Sequence, residues 1–404
     1  MPDSSLSVDD YRERILADIE PLVAYQQPLM DTLGLAAAED VHAAVSLPGF
    51  DNSSHDGYAV RFAEVATASA DAPVHLPVVG EIGAGQANLL ALAPGTSAKI
   101  MTGAPMPAGA DTVVPYEWTD RGIAQVVITQ APSEVGEHVR PRGDDVREGD
   151  LVVAEGTVLG ARQLGLLAAI GRATVAARPR PRVVVLSTGS ELRDPGQQLG
   201  HDSIYDGNSY LLAAAARAAG AIAYRVGIVP DEPPKFLEAL HDQLVRADLV
   251  ITSGGVSQGD YDVVKEALRP AGVWFGPVAM QPGRPQGFGR VGEDRIPIFT
   301  LPGNPVSCYV SFHVFVLPAL RRMMGIRPEV RPSLTARLTH DVRSFPGRRQ
   351  FLRGWYDDGS VSPVGGAASH LIGDLAGANC LVDIPAEADA VAAGSSVDVL
   401  LLGD

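Results

Sequence analysis

The side chains best suited to chemistry sit in three glycine-bearing segments, each following an apolar run. LSTGSELRDPG (186–196) places Glu191 just past such a run. ITSGGVSQGDYDVVK (251–265) sets Gly254 and Gly255 where the backbone can bend and present N–H groups. It then adds the Ser257 hydroxyl and the carboxylates of Asp260 and Asp262 at the start of an expected helix. TLPGNPVSCYV (300–310) carries Ser307 in the first turn of another. Glycine or serine ahead of a helix N-terminus makes an anion site. Carboxylates beside it imply a divalent cation, because alone they would repel phosphate or any oxyanion; Mg2+ suits a few carboxylates plus ligand phosphates. An Asp that merely caps a helix contributes about 1 kcal/mol and needs no ligand. That bland reading suffices for any one segment. Three segments at successive strand ends of one sheet converge in space, and together they point to a site.

Other chemistries find little support. The nine histidines show no His-x-x-x-His spacing and no Cys-x-x-Cys occurs, which argues against a zinc enzyme. A serine triad is not expected either. Cys308 and Cys380 cannot form a disulfide framework and are expected to be buried spectators.

The elements that must position these residues follow from pattern and composition. The 404 residues suggest two to four domains, and 46% apolar with 20% charged content is ordinary for a soluble globular chain. Its 43 glycines and 31 prolines exceed the average and indicate many turns. A formal charge of −16 argues against a nucleic-acid binder. The charge is unevenly spread: residues 1–60 hold eleven acids against two arginines, and residues 321–353 hold nine arginines against two acids. With neither a signal-peptide pattern nor an 18-residue apolar run, a cytoplasmic, non-membrane protein is expected. Helical periodicity covers about 7–25 and 28–40, followed by a turn-rich loop at 47–60. Short alternating runs over 58–158 read as a mostly β domain and 159–171 as a helix. AARPRPR (176–182) is a stiff connector. Beyond it, apolar strands at 183–187, 248–253 and 296–301 alternate with helices at 206–219, 233–247, 261–268 and 305–324, which predicts a parallel sheet covered on both faces. After Arg327-Pro328 short strands return up to Leu401.

FDNSSHDGYAV (50–60), KIMTGAPMPAGAD (99–111), PRGDDV (141–146), STGSEL (187–192), SIYDGNSYLL (203–212), TSGGVSQGDYD (252–262) and LPGNPVS (301–307) follow one another in a distinctive order. In that ordered set the chain resembles the molybdopterin molybdenumtransferase (MoeA) family, whose eukaryotic relatives are gephyrin E domains and plant insertases. The resemblance implies a multidomain α/β fold. Its parts would be an N-terminal linker domain (1–45 plus 147–178), an inserted mostly-β domain (46–146), a doubly wound α/β molybdopterin-binding-like domain (179–327) and a C-terminal β-barrel-like domain (328–404). The implied reaction converts adenylylated molybdopterin and molybdate to molybdenum cofactor and AMP, with Mg2+. Adenylyl transfer onto molybdopterin and a non-catalytic molybdopterin-binding scaffold are the alternatives.

The same resemblance implies roles for individual residues. Asp262, Glu191, Asp145 and Asp56 would be catalytic, with Glu191 and Asp262 holding Mg2+. Thr102, Ser187, Gly189, Asp206, Ser253, Gly254, Gly255, Ser257 and Asp260 would bind substrate. Arg284, Pro285, Ser307, Arg353 and Ser369 would take molybdate, whose double negative charge suits guanidinium and hydroxyl donors. A head-to-tail homodimer would bring the Asp56, Thr102 and Asp145 segments of one protomer to the other's central site, and a transient contact with the adenylyltransferase is implied. Two departures stand out. Gln281-Pro282-Gly283-Arg284-Pro285 replaces a more usual Lys-Pro-Gly-Lys-Pro, and His55 is atypical in its loop.

Overall fold

The computed structural model describes residues 5–85, 91–255 and 262–403. The first helix, Val8–Asp18, opens at Ser7, whose hydroxyl accepts the Asp10 N–H at 3.0 Å. It stops well short of the expected residue 25, because Pro21 disfavours helical backbone before it and supplies no N–H. The helix expected over 28–40 does not form. Leu29–Thr32 is a single 3-10 turn, and the following backbone bonds outward: Gly34 N–H to Leu159 O at 2.8 Å, Ala37 N–H to Thr157 O at 2.9 Å and Ala38 N–H to Ala176 O at 2.8 Å. Leu35, Ala36 and Ala37 are buried consecutively, which a helix with one apolar face could not do. This segment, the strand pair Tyr25–Pro28 with Thr174–Ala177, and the helix Ala161–Ala169 enclose a small core of their own.

Between these parts lies a five-stranded sheet in spatial order Thr112–Pro115, Gly57–Val60, Ser97–Ile100, Val74–Ile82, Gln125–Ile128. Its hydrophobic clusters gather around Tyr58 and Val114 and around Ala59 and Ile100. Opposite sides of the strand Gly57–Val60 are thus both covered, as the alternation of successive residues requires.

The central sheet comprises β1 (Arg182–Ser187), β2 (Ile222–Arg225), β3 (Leu249–Ser253), β4 (Trp274–Pro277), β5 (Pro285–Val291) and β6 (Ile296–Leu301), in spatial order β2-β1-β3-β6-β5-β4. The first four in that order run parallel, as expected; β5 and β4 add antiparallel strands at one edge, so the sheet is mixed. The short turn between β5 and β6, at Gly292–Arg295, explains the reversal, because a connection this tight permits only antiparallel neighbours. Alternation along β1 feeds both faces. Val183 and Val185 join the core with α1 (Asn208–Ala218), while Val184 and Leu186 join the core with α2 (Pro233–Leu244) and α3 (Val263–Leu268).

The long expected helix at 305–324 forms as α4 (Pro305–Ser311) and α5 (Leu317–Met323), joined by a π-helical turn at Phe312–Val316. Pro318 removes the N–H that would have bonded one turn back, and the wider turn accommodates the loss. The N-terminal helix packs on this side: Tyr11 meets Trp274 at 5.1 Å and Phe315 at 4.8 Å between ring centres. Beyond residue 333 the strands Leu334–Leu338, Arg349–Asp357, Ser360–Pro363, Cys380–Ile384 and Ser396–Leu401 close into a five-strand barrel, because Arg349–Asp357 pairs with both Ser360–Pro363 and Cys380–Ile384. Both cysteines are buried, and burial holds the Cys380 thiol up at about 11.

Candidate functional site

A cleft opens beyond the carboxyl ends of the parallel strands. Thr188, Gly189 and Glu191 after β1, Gly254 and Gly255 after β3, Asp262 at the head of α3, and Gly303 after β6 all line it. Gly254 (φ +88°) and Gly255 (φ +71°) adopt left-handed backbone that other residues resist. A Cβ on Gly255 would fall 2.4 Å from Val264 Cγ2 and 3.0 Å from Asp262 Oδ1, so its absence makes room for that carboxylate. Asp262 is 8% exposed, and its carboxylate makes no capping bond to α3. The capping interpretation therefore does not account for it.

Asp206 and Ser187 belong to the floor. Asp206 is buried, and its Oδ1 accepts from Ser187 Oγ at 3.1 Å and from Ser209 N–H at 3.0 Å. Its Oδ2 accepts from Ser209 Oγ at 2.6 Å and lies 4.0 Å from the Arg225 guanidinium. Ser187 and Ser253 hydroxyls share a 3.2 Å hydrogen bond. These contacts fix the start of α1 to the ends of β1 and β3, so Asp206 orders the cleft wall with oxygens already satisfied by the protein. Asn208 Nδ2 extends the wall by donating to Gly303 O at 2.7 Å.

Sequence reasoning missed Asp231 and Glu266, which also line this cleft. Asp231 Oδ2 accepts the Ser190 N–H at 2.8 Å and so steadies the loop that carries Glu191. The signal was available: VGIVPDEPP (226–234) is a further strand-to-helix loop on the same sheet edge. Ser257 and Asp260 lie outside the described residues. Residues 255–259 read Gly-Val-Ser-Gln-Gly, the spacing of a serine-hydrolase elbow, which the expectation against a serine triad had overlooked. No histidine lines the cleft among the described residues, so no general base of that kind stands there.

The oxygen donors suit a hard cation. Among the described residues no group of three or more His, Cys, Asp and Glu side chains is arranged as a metal cage. Mg2+ characteristically keeps several waters and takes one or two carboxylates together with ligand phosphates. Glu191 and Asp262 on one cleft fit that partial donor set.

A second group of expected residues surrounds α4. Asn304 Nδ2 donates to Ser369 Oγ at 2.9 Å, and the Val306 N–H donates to Ser369 O at 3.0 Å, so the 369 loop lies on the first turn that carries the buried Ser307. Arg353 is 4% exposed; its Nη1 donates to Ala368 O at 3.0 Å, its Nη2 to Gly366 O, and Asp374 lies 3.8 Å away. Burial lowers its pKa, with Asp374 acting in the opposite sense. Arg284 and Pro285 enter β5 beside Gln286, whose amide donates to Ser311 Oγ on α4 at 2.7 Å. These segments thus meet around one helix, although much of the Arg353 donor capacity is directed at the 364–368 backbone.

A third group lies in loops beside the inserted sheet. Asp56 Oδ1 accepts both the Thr102 N–H at 2.7 Å and the Thr102 hydroxyl at 2.9 Å, which holds its carboxyl below the usual range. The Asp145 N–H donates to Leu47 O at 3.0 Å, and the Gly103 N–H to Ser53 O at 2.8 Å, so the three loops carrying these residues interlock. His55 is exposed, bonds through Nδ1 to Ser54 Oγ at 2.8 Å and packs its ring 4.2 Å from that of His138.

Fold and cleft define a multidomain α/β protein of the molybdopterin-binding type: residues 184–322 match the family described as probable molybdopterin binding domain. Residues 6–171 match the MoeA N-terminal region (domain I and II), and residues 335–402 match the MoeA C-terminal region (domain IV). The chain belongs to the MoeA family. It is 48% identical over 381 residues to molybdopterin molybdenumtransferase 2 of Mycobacterium tuberculosis, covering 92% of this chain and 93% of that one. It is 37% identical to molybdopterin molybdenumtransferase of Nostoc sp., covering 91% of this chain and 86% of the relative. A crystal structure of the molybdopterin biosynthesis MoeA protein from Pyrococcus horikoshii OT3 superimposes with a TM-score of 0.85 at 26% identity, covering 98% of this chain and 100% of that chain.

Proposed function

We propose that this protein is a molybdenum insertase, a transferase that takes molybdate and adenylylated molybdopterin to molybdenum cofactor and AMP. The observation that carries this reading is the turn at 301–307. Gly303 and Pro305 border the carboxylate cleft, while Asn304 and Val306 hold the Ser369 loop beside Ser307. A phosphorylated ligand in the cleft and an oxyanion at α4 would therefore be neighbours across one short turn.

In this reading Glu191 and Asp262 hold Mg2+, which neutralises phosphate charge when bound. Asp262, shielded at the cleft wall, faces the reacting diphosphate. Ser253, Gly189, Gly254, Gly255, Ser257 and Asp260 surround the substrate, with Ser187 and Asp206 fixing the wall beneath. Arg284, Pro285, Ser307, Arg353 and Ser369 take molybdate. The protein acts as a cytoplasmic homodimer in which Asp56, Thr102 and Asp145 complete the partner's cleft; their location in interlocked, exposed loops apart from the central sheet supports this. The four-part division at residues 45/46, 146/147, 178/179 and 327/328 accompanies it, as does transient contact with the adenylyltransferase that supplies the substrate. Adenylyl transfer itself is not favoured, because the similarity to the named molybdenumtransferases runs nearly end to end.

The test is AMP release from adenylylated molybdopterin by purified protein. Release that requires both molybdate and Mg2+ is expected. Release without molybdate, or none in the presence of both, overturns the reading.

A further inference from the structure

We propose that Gln286 is a positioning residue for oxyanion capture, acting as a clamp that fixes the Arg284 turn against the helix bearing Ser307. The inference rests on the molybdate assignment above and goes beyond it, since Gln286 itself touches no substrate in it.

Gln286 is 1% exposed, so its amide must find partners within the protein. Its Nε2 donates to Gly283 O at 2.6 Å and to Ser311 Oγ at 2.7 Å. A carbonyl oxygen only accepts, so the bond to Gly283 fixes the amide's orientation: nitrogen faces the turn. Ser311 is fully buried and sits four residues beyond Ser307, on the same face of α4. The amide therefore ties the turn to the helix one helical turn from the Ser307 hydroxyl.

The turn is pinned from its other side as well. The Val278 N–H donates to Arg284 O at 2.7 Å, and Pro277 pairs with Pro285 in the β4–β5 ladder. Gly283, at φ +96°, carries no Cβ, and one added there would approach Ser311 Oγ to 3.0 Å and Gln286 Nε2 to 3.4 Å. Backbone on both flanks of Arg284 is thus held, and only its side chain is left to move. A cation delivered from a fixed backbone loses less freedom on meeting an anion, which favours binding without altering the chemical step. This matters more here than in a turn with two lysines, because the residue at 281 is an uncharged glutamine and the second charge must be well placed.

The experiment measures initial rates of AMP release against molybdate concentration at saturating adenylylated molybdopterin, together with thermal unfolding. Gln286→Leu, which leaves the Gly283 carbonyl and Ser311 hydroxyl without that partner, is expected to raise the molybdate KM about tenfold, the scale of one or two hydrogen bonds. Its kcat and its KM for adenylylated molybdopterin should stay within about twofold of wild type. Ser311→Ala, which removes one of the two bonds, should raise the molybdate KM by a smaller factor, and covers the case in which Gln286→Leu does not fold. Arg284→Ala serves as the reference. If Arg284→Ala raises the molybdate KM while both folded clamp variants leave it unchanged, the clamp is refuted. If Arg284→Ala also leaves it unchanged, the molybdate assignment has failed instead. A loss of kcat and both KM values together would mark Gln286 as a general structural residue and would likewise overturn the proposal.

Discussion

The acidic cleft and the cluster around α4 meet at one turn, yet they are built on opposite plans. The cleft is made of glycine loops and carboxylates in which backbone is kept out of the way: Gly255 leaves space that a side chain would take from Asp262. The α4 cluster is a packed interface between the central unit and the barrel, where Arg353 and Gln286 are nearly inaccessible and have hydrogen bonds to surrounding backbone. A region designed around free space should lose function before stability when changed. A region designed around satisfied buried donors should lose both.

That contrast can be broken in several places. Asp262→Ala should reduce AMP release by about a hundredfold or more, the scale of removing a group that acts on developing charge, with unfolding temperature nearly unchanged; equal rates for variant and wild type would remove Asp262 from the chemistry. Arg353→Met should destabilise the fold by about 2 kcal/mol, because it removes the hydrogen bonds that a buried guanidinium donates to the Gly366 and Ala368 carbonyls. Denaturant unfolding measures this, and a stability loss under about 0.5 kcal/mol would show that the guanidinium is held for ligand alone. Gly255→Ala should cost about 1–2 kcal/mol through its positive φ and its clash with Val264, and should depress AMP release further than that stability loss explains.

The smallest effect tests the third region. The Thr102 bonds hold the Asp56 carboxyl pKa below its ordinary value. A depressed carboxyl pKa favours the folded state above the unfolded-state pKa, and that contribution disappears as pH falls through the folded value. Thr102→Val removes the hydroxyl bond but keeps the N–H, so the Asp56 titration followed by NMR should move upward while staying below the ordinary carboxylate value. Because Asp56 is exposed, solvent screening should keep the change in stability near the detection limit. An unmoved titration would mean that the backbone N–H alone sets the shift.

The difference between the two plans also governs what could be read from sequence. Strand ends followed by glycine and acid are local patterns, so β1, β3 and β6 stand where periodicity places them, within about a residue. The 28–40 segment has helical spacing, but its backbone partners are Thr157, Leu159 and Ala176, more than a hundred residues away, and no local pattern encodes them. The antiparallel edge at β4 and β5 was missed for a related reason: those strands carry Gly276, Gly287 and Gly289, which dilute the apolar signal while letting the backbones approach closely. The carboxylates of the cleft were legible because acids beside glycines are conspicuous. Gln286 was not, since its significance lies in a carbonyl and a hydroxyl that only the folded chain brings within 3 Å.

The N-terminal helix has one further consequence, which concerns time. Its buried face of Val8, Tyr11 and Ile15 closes the same core as Trp274, Phe315 and Met323. During synthesis it leaves the ribosome well before those partners, which follow roughly 260–310 residues later; at about 5–20 residues per second that is an interval of about 13–60 s. Until they arrive Tyr11 lacks the ring contacts that seat it, and the β sheet spanning Gly57–Ile128 can finish folding beforehand. Closure of that core therefore waits for an early helix to meet partners made late.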